Sequence, residues 1–187
     1  MKVAVYCSSR ADLGAVYENI ADCLGKWIGR NGCELVYGGV NAGLMHSIAL
    51  SSHNAGAKII GIVPEIFRHR TDELCDEIIL SSDLNDRKAK MIDLADVFVV
   101  LPGGIGTIDE WISTLSHIIV MQSKDPDYNK PILVVNTGGM YDDLVRQLAA
   151  TSESIFARGK RIDRSIIVND SAELTNQLDN IISVFAK

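Results

Sequence analysis

No stretch of the sequence stays apolar for the ~20 residues that a bilayer crossing requires, so a membrane-spanning helix is excluded. The amino terminus lacks a charged segment followed by a long apolar one. Met1 and Lys2 run directly into a short apolar stretch at residues 3–7, so no secretory leader is expected. Cysteine is scarce. Cys7, Cys23, Cys33 and Cys75 include no pair at Cys-x-x-Cys spacing, which argues against a zinc site or a redox pair. Buried reduced thiols and a cytoplasmic location are the expectation. A basic surplus is absent too. The formal net charge is −6, whereas broad nucleic-acid binding needs a positive face that displaces counterions. A local basic pocket stays compatible with that balance. No repeat, low-complexity segment or linker divides the chain, so one domain over residues 1–187 with one core is expected.

What is present is an alternation. Short apolar runs rich in β-branched residues occupy residues 3–7, 34–37, 58–63, 77–80, 97–101, 132–135 and 165–168. Several are apolar at every position, as in Val97-Phe98-Val99-Val100. Strands covered on both faces read this way, and parallel sheets are covered on both faces. Between the runs lie stretches with helical spacing, such as Val16, Ile20, Leu24, Trp27 and Ile28. Others are Leu84, Ala89, Met91 and Leu94, then Trp111, Leu115, Ile118 and Ile119, then Leu174, Leu178, Ile181 and Ile182. Strand and helix alternating along one chain predict an α/β fold, a doubly wound and mainly parallel sheet flanked by helices. Two segments lack either pattern. Residues 67–76 carry Arg68, His69, Arg70, Asp72 and Glu73, and residues 152–164 carry Arg158, Lys160, Arg161 and Arg164. Each is a solvated connection or a flap over a site.

The most informative segment is Leu101-Pro102-Gly103-Gly104-Ile105-Gly106-Thr107-Ile108-Asp109-Glu110. It follows a buried strand and opens a helix. In open α/β sheets that is where ligands bind. The glycines allow close approach to the backbone, and the helix offers unpaired N–H groups and the positive end of its dipole. An anion site results, with phosphate as its natural occupant. Thr107 and Glu110 also match a capping box, Thr107 as N-cap and Glu110 three residues on. So Glu110 has two readings, a cap or a carboxylate facing the ligand.

A second glycine turn, Gly38-Gly39-Val40-Asn41-Ala42-Gly43-Leu44-Met45, follows another strand. It lacks the Lys-Ser/Thr of a P-loop and the Gly-x-Gly-x-x-Gly of a dinucleotide site. Two such turns suggest a cleft walled by backbone. Next, Asp83 is a candidate N-cap for a helix that carries Asp86, Arg87 and Lys88 in its first turns. Arg87 is either part of a solvated basic face or a planar fork for a phosphate or ribose.

Taken together, Arg87-Lys88-x-x-Met91 and Pro102-Gly103-Gly104-x-Gly106-Thr107-x-x-Glu110 resemble the Lonely Guy family of phosphoribohydrolases, which activate cytokinins. Tyr37-Gly38-Gly39 and Gly43-Leu44-Met45 are similar to its first glycine turn. The similarity of order and spacing runs from Val3 to about Val168. It implies a Rossmann-like fold and a homodimer. It also implies hydrolysis of an adenine-type nucleoside 5′-monophosphate to free base and ribose 5-phosphate. Carried over by position, Arg87 and Glu110 are the essential pair. The turn of Gly103, Gly104, Ile105, Gly106 and Thr107 holds the phosphate, with Lys88 in the substrate site. Gly38, Gly39, Gly43 and Met45 form the first turn, and Glu65 and Ser116 fall near substrate-contacting positions. Two departures touch substrate identity: Val40 stands where the family usually has a third glycine, and His46 where it usually has another.

No cofactor or metal is expected, because no cluster of His and carboxylates stands at ligand spacing. The competing readings are a nucleotide or molybdenum-cofactor carrier of the same fold, and the lysine decarboxylase label attached to similar sequences. The latter chemistry calls for pyridoxal phosphate on a lysine, and no recognisable motif for that lysine is present. Finally, Trp111, Ile112, Leu115, Ile118, Ile119 and Val120 exceed what one core-facing stripe needs, so part of that surface is expected to bury against a second subunit.

Overall fold

The computed structural model describes residues 1–152, 154 and 165–185. The expectation placed on Arg158, Lys160, Arg161 and Arg164 lies outside them. Among the described residues seven strands form one sheet in the order β4-β3-β2-β1-β5-β6-β7. They are β1 (Lys2–Tyr6), β2 (Glu34–Tyr37), β3 (Lys58–Pro64), β4 (Glu77–Ser81), β5 (Val97–Val100), β6 (Ile132–Val135) and β7 (Ser165–Val168). All six pairings are parallel. Among the described residues six α-helices accompany them: α1 (Ala15–Arg30), α2 (Gly43–Asn54), α3 (Leu84–Leu94), α4 (Ile105–Gln122), α5 (Asp142–Ser152) and α6 (Ser171–Phe185). The segment after β3 has no α-helix. Residues Glu65–Arg70 form a 3-10 turn, and Thr71 makes an isolated antiparallel bridge to Val40. The irregular segment at residues 67–76 therefore lies against the first glycine turn.

The pleat sends successive side chains to opposite faces. Val3, Val5, Leu35, Val97, Val99 and Leu133 join one core cluster with Leu24, Ile28, Leu44 and Leu174 from α1, α2 and α6. Ala4, Tyr6, Val36, Phe98, Val100 and Val134 join a second cluster with Met91, Trp111 and Ile118 from α3 and α4. Both faces are covered, which is why the strand sequences are apolar throughout rather than alternating. The two indole N–H groups find partners inside this framework. The Trp111 indole donates to Ser165 Oγ at 2.9 Å, and the Trp27 indole to Asp179 Oδ1 at 2.7 Å. Among the described residues no helix is long and apolar enough to cross a membrane.

The order of strands matters for the site. β1 lies between β2 and β5, so the chain winds one way from β1 and the other way from β5. A crevice opens at the carboxyl ends of β1 and β5, the topological switch point where such sheets bind ligands.

Candidate active site

A cavity of about 410 Å³ lies at that crevice. Its wall comes from residues 7–10 after β1, from Leu84, Arg87 and Lys88 on α3, and from residues 104–107, Asp109 and Glu110 on α4, with Met45 at one side. The glycine-rich turn is pinned from behind. The Gly103 N–H donates to the Tyr141 phenol oxygen at 2.9 Å, and the Tyr141 hydroxyl donates to the Leu101 carbonyl at 3.1 Å. Burial pushes the Tyr141 hydroxyl up to about 12, so it keeps its proton at neutral pH.

Helix α4 begins earlier than the capping-box reading places it. Its N-cap is Gly104, with extended backbone and no side chain to accept from the first turn. Thr107 is inside the helix and buried, and a Cβ at Gly103 would overlap its hydroxyl. Glycine at 103 therefore admits Thr107 against the turn, and glycine at 104 starts the helix uncapped. The first-turn N–H groups of Ile105, Gly106 and Thr107 consequently have no capping side chain. The Thr107–Glu110 capping box is thus corrected: Glu110 lies in the second turn, not at a cap.

Glu110 instead turns inward and is only 5% exposed. Its Oε1 accepts from Arg87 Nη2 at 2.6 Å. Arg87 is placed there by α3, whose N-cap Asp83 accepts from the Asn85 and Asp86 N–H groups at 2.8 and 2.9 Å. Gly38 leaves room for the guanidinium, since a Cβ there would come within 2.6 Å of Arg87 Nη2. The neighbouring Lys88 Nζ reaches Asp109 at 2.8 and 3.0 Å and Ser113 at 3.2 Å. So α3 and α4 are joined by two parallel ion pairs at the cavity wall. Burial pushes the Glu110 carboxyl above the ordinary carboxylate value, while the Arg87 guanidinium opposes that shift. Cys7 also lines the cavity, and burial pushes its thiol upward, so it contributes a neutral surface rather than a thiolate.

The other expected residues are placed less directly. Gly39 and Gly43 are not among the residues lining the cavity, and they have positive φ of 65° and 49°. Gly39 accepts the Asp72 N–H at 2.8 Å, which ties residues 67–76 to the turn. His46 lies against the buried Asp72 at 2.9 Å, anchoring the same segment. Glu65 does not reach the cavity: it is exposed at the head of the 3-10 turn and pairs with Arg68 at 3.4 Å. Ser116 does not reach it either. It follows Glu110 by six helical residues, a rotation of roughly 240°, and is exposed on α4. Sequence reasoning missed residues 8–10, Asp109 and Tyr141. The strand order would have pointed to residues 8–10, because they follow β1 at the switch point. Among the described residues no cluster of His, Cys, Asp or Glu is arranged to hold a metal ion.

The protein family described as "Possible lysine decarboxylase" matches residues 45–178. The cytokinin riboside 5′-monophosphate phosphoribohydrolase LOG of Oryza sativa subsp. japonica is 33% identical, with 97% of this chain and 74% of that protein covered. The chain belongs to the Lonely Guy family. A second Lonely Guy relative, the cytokinin riboside 5′-monophosphate phosphoribohydrolase of Rhodococcoides fascians, is 30% identical, covering 90% of this chain and 84% of that protein. Among solved structures, the molybdenum cofactor binding protein of Rippkaea orientalis superposes with a TM-score of 0.74 at 21% identity, covering 97% of this chain and 96% of that one. The molybdenum cofactor carrier protein of Chlamydomonas reinhardtii gives 0.72 at 20% identity, covering 97% and 98%. These two likenesses establish a shared fold. The described residues have the doubly wound, parallel sheet flanked by helices that the sequence pattern predicts.

Proposed function

We propose that this protein hydrolyses the N-glycosidic bond of an adenine-type nucleoside 5′-monophosphate, AMP or a cytokinin riboside 5′-monophosphate. The observation that carries the reading is the buried Arg87–Glu110 pair on the same cavity as the uncapped start of α4. The 5′-phosphate is read at the N–H groups of residues 105–107, where helix dipole and free donors favour an anion. Met45, Leu84 and Ile105 supply apolar wall for the base. Binding energy at the phosphate then positions C1′ over the ion pair.

In the reaction the C1′–N bond breaks with its electron pair leaving on the base. Positive charge grows at C1′ and the ring oxygen. The Glu110 carboxylate stabilises that charge and orients water, as carboxylates do in glycoside hydrolysis. The water hydroxyl ends on C1′ of ribose 5-phosphate and its proton on the departing base. Arg87 opposes the effect of burial on the Glu110 carboxyl and steadies the sugar.

The test is incubation with AMP and with an N6-substituted AMP, following free base and ribose 5-phosphate. Release of neither product from either nucleotide overturns the reading. The fold likeness to molybdenum-cofactor proteins supports one alternative, a carrier that binds such a ligand without cleaving it. It predicts tight binding and no free base. A second expectation follows from the phosphate anchor. Adenosine should have a kcat/KM lower than that of AMP by about two orders of magnitude or more, because several charge-assisted contacts are lost. Comparable values for the two substrates remove the phosphate from the mechanism.

Assembly is a further expectation. Trp111, Leu115 and Ile118 are consumed in the core, and Ile112 and Ile119 pack against it, leaving Val120 53% exposed. One chain thus absorbs most of the apolar surface that the sequence suggested was in excess. A homodimer remains the proposal, on the family resemblance and on this residual patch. Light scattering at micromolar concentration decides it, and a strictly monomeric species refutes it. A cytoplasmic setting fits the unpaired cysteines.

A further inference from the structure

The charges around the cavity leave one cation over. Arg10, Arg87 and Lys88 line it, against two carboxylates, Asp109 and Glu110. Arg87 is taken by Glu110 at 2.6 Å, and Lys88 by Asp109 at 2.8 Å. The Arg10 guanidinium makes no ion pair among the described residues, and the residue is exposed. Its backbone, by contrast, is fixed. The Arg10 N–H donates to Ser8 Oγ at 3.0 Å, and its carbonyl stands so close to Gly43 that a Cβ there would overlap it. A free cationic side chain is therefore mounted on a held loop at the edge of the cavity.

A phosphate arriving in this cavity needs positive charge that is not already neutralised. Arg87 keeps its Nη2 on the buried Glu110 carboxylate, so its charge is already matched there, and drawing it off that partner would cost more than a surface contact gains. Lys88 is bound by both oxygens of Asp109 and by Ser113. Arg10 pays no such exchange, and its planar fork suits two phosphate oxygens at once. We propose that Arg10 is a phosphate-binding residue that closes on the 5′-phosphate of the substrate from the β1–α1 loop. This deepens the hydrolytic reading, resting on it for the presence of a 5′-phosphate but not for cleavage.

The test uses the whole protein with Arg10→Gln and Arg10→Lys. Arg10→Gln should melt at the parental temperature, because the side chain is exposed and unpaired. Its KM for AMP should rise about tenfold to a hundredfold, the scale of a lost charge-assisted contact, with kcat within a few-fold. Lost binding common to ground and transition states has this signature. Turnover of adenosine should not change. Arg10→Lys should fall between the two, keeping charge but losing the fork. Calorimetric titration with AMP and with inorganic phosphate reads the same residue without turnover, and both affinities should drop in Arg10→Gln. Unchanged AMP and phosphate affinity in Arg10→Gln overturns the proposal, as does a parent protein that binds neither. A parent that binds AMP through Arg10 yet releases no base sustains Arg10 and overturns the hydrolytic reading instead.

Discussion

Glu110→Gln is expected to lower kcat by at least about 100-fold, the scale seen when one preorganised transition-state stabiliser is removed. KM for AMP should stay within a few-fold, because the uncapped start of α4 and the Arg10 loop are untouched. Glutamine is nearly isosteric, and its amide oxygen can still accept from Arg87 Nη2, the contact that Glu110 makes at 2.6 Å. What it loses is the charge that would face the oxocarbenium-like sugar. A purely structural role for Glu110 predicts the opposite pattern, little change in turnover. The capping role that would have supported that outcome is gone, since Gly104 rather than Thr107 begins the helix. A kcat within a few-fold of the parent defeats the mechanism and favours a carrier.

The stability of this variant carries its own sign. Burial raises the Glu110 carboxyl in the native state above its ordinary value of 4.5. A raised carboxyl means that the native state holds the proton more tightly than the unfolded chain. The associated stabilisation is fully present below 4.5 and is lost as pH rises through the raised native value. Glutamine does not titrate. The melting temperature of the parent should therefore fall relative to Glu110→Gln over that window, which paired melts from pH 4 to pH 8 would show.

How far the sequence foretold this site depends on which physical signal wrote each part. The strands were legible because a sheet covered on both faces demands apolar residues at every position, as at residues 97–100 and 132–135. The start of α4 was not. Thr-x-x-Glu is written identically whether it caps a helix or lies inside one. The glycine at 103 decides between them, by admitting Thr107 where any Cβ would exclude it. Residues 8–10 carry no periodicity of their own, and their place at the site follows only from β1 standing next to β5. Asp109 and Tyr141 act through partners 21 and 38 positions distant, Lys88 and Gly103, so only tertiary docking reveals them. Glu65 and Ser116 show the converse, where position along the chain suggested a contact that helix phase and the 3-10 turn do not deliver.

Arg87→Ala should be the most damaging single change. It removes the partner of a carboxylate whose side chain is 7% exposed. Breaking a buried pair from one side costs on the order of 3–5 kcal/mol, because the remaining charge is left uncompensated. Glu110 can escape part of that cost by taking up a proton, since the guanidinium was what opposed the upward shift from burial. Two consequences follow, and they separate charge burial from ordinary loss of packing. First, Arg87→Ala should be least stable at neutral and alkaline pH and should recover as pH falls and Glu110 becomes neutral. Second, adding Glu110→Gln to Arg87→Ala should restore much of the lost stability at neutral pH, while turnover stays as low as in either single variant. Arg87→Lys should recover stability better than turnover, because an ammonium can neutralise Glu110 but lacks the fork that steadies the sugar. Thermal melts of the four variants and the parent across pH, with kcat measured where each is folded, test this together. If the double variant is no more stable than Arg87→Ala alone, the guanidinium is not there to offset the buried carboxylate, and its place in the mechanism must be reassigned.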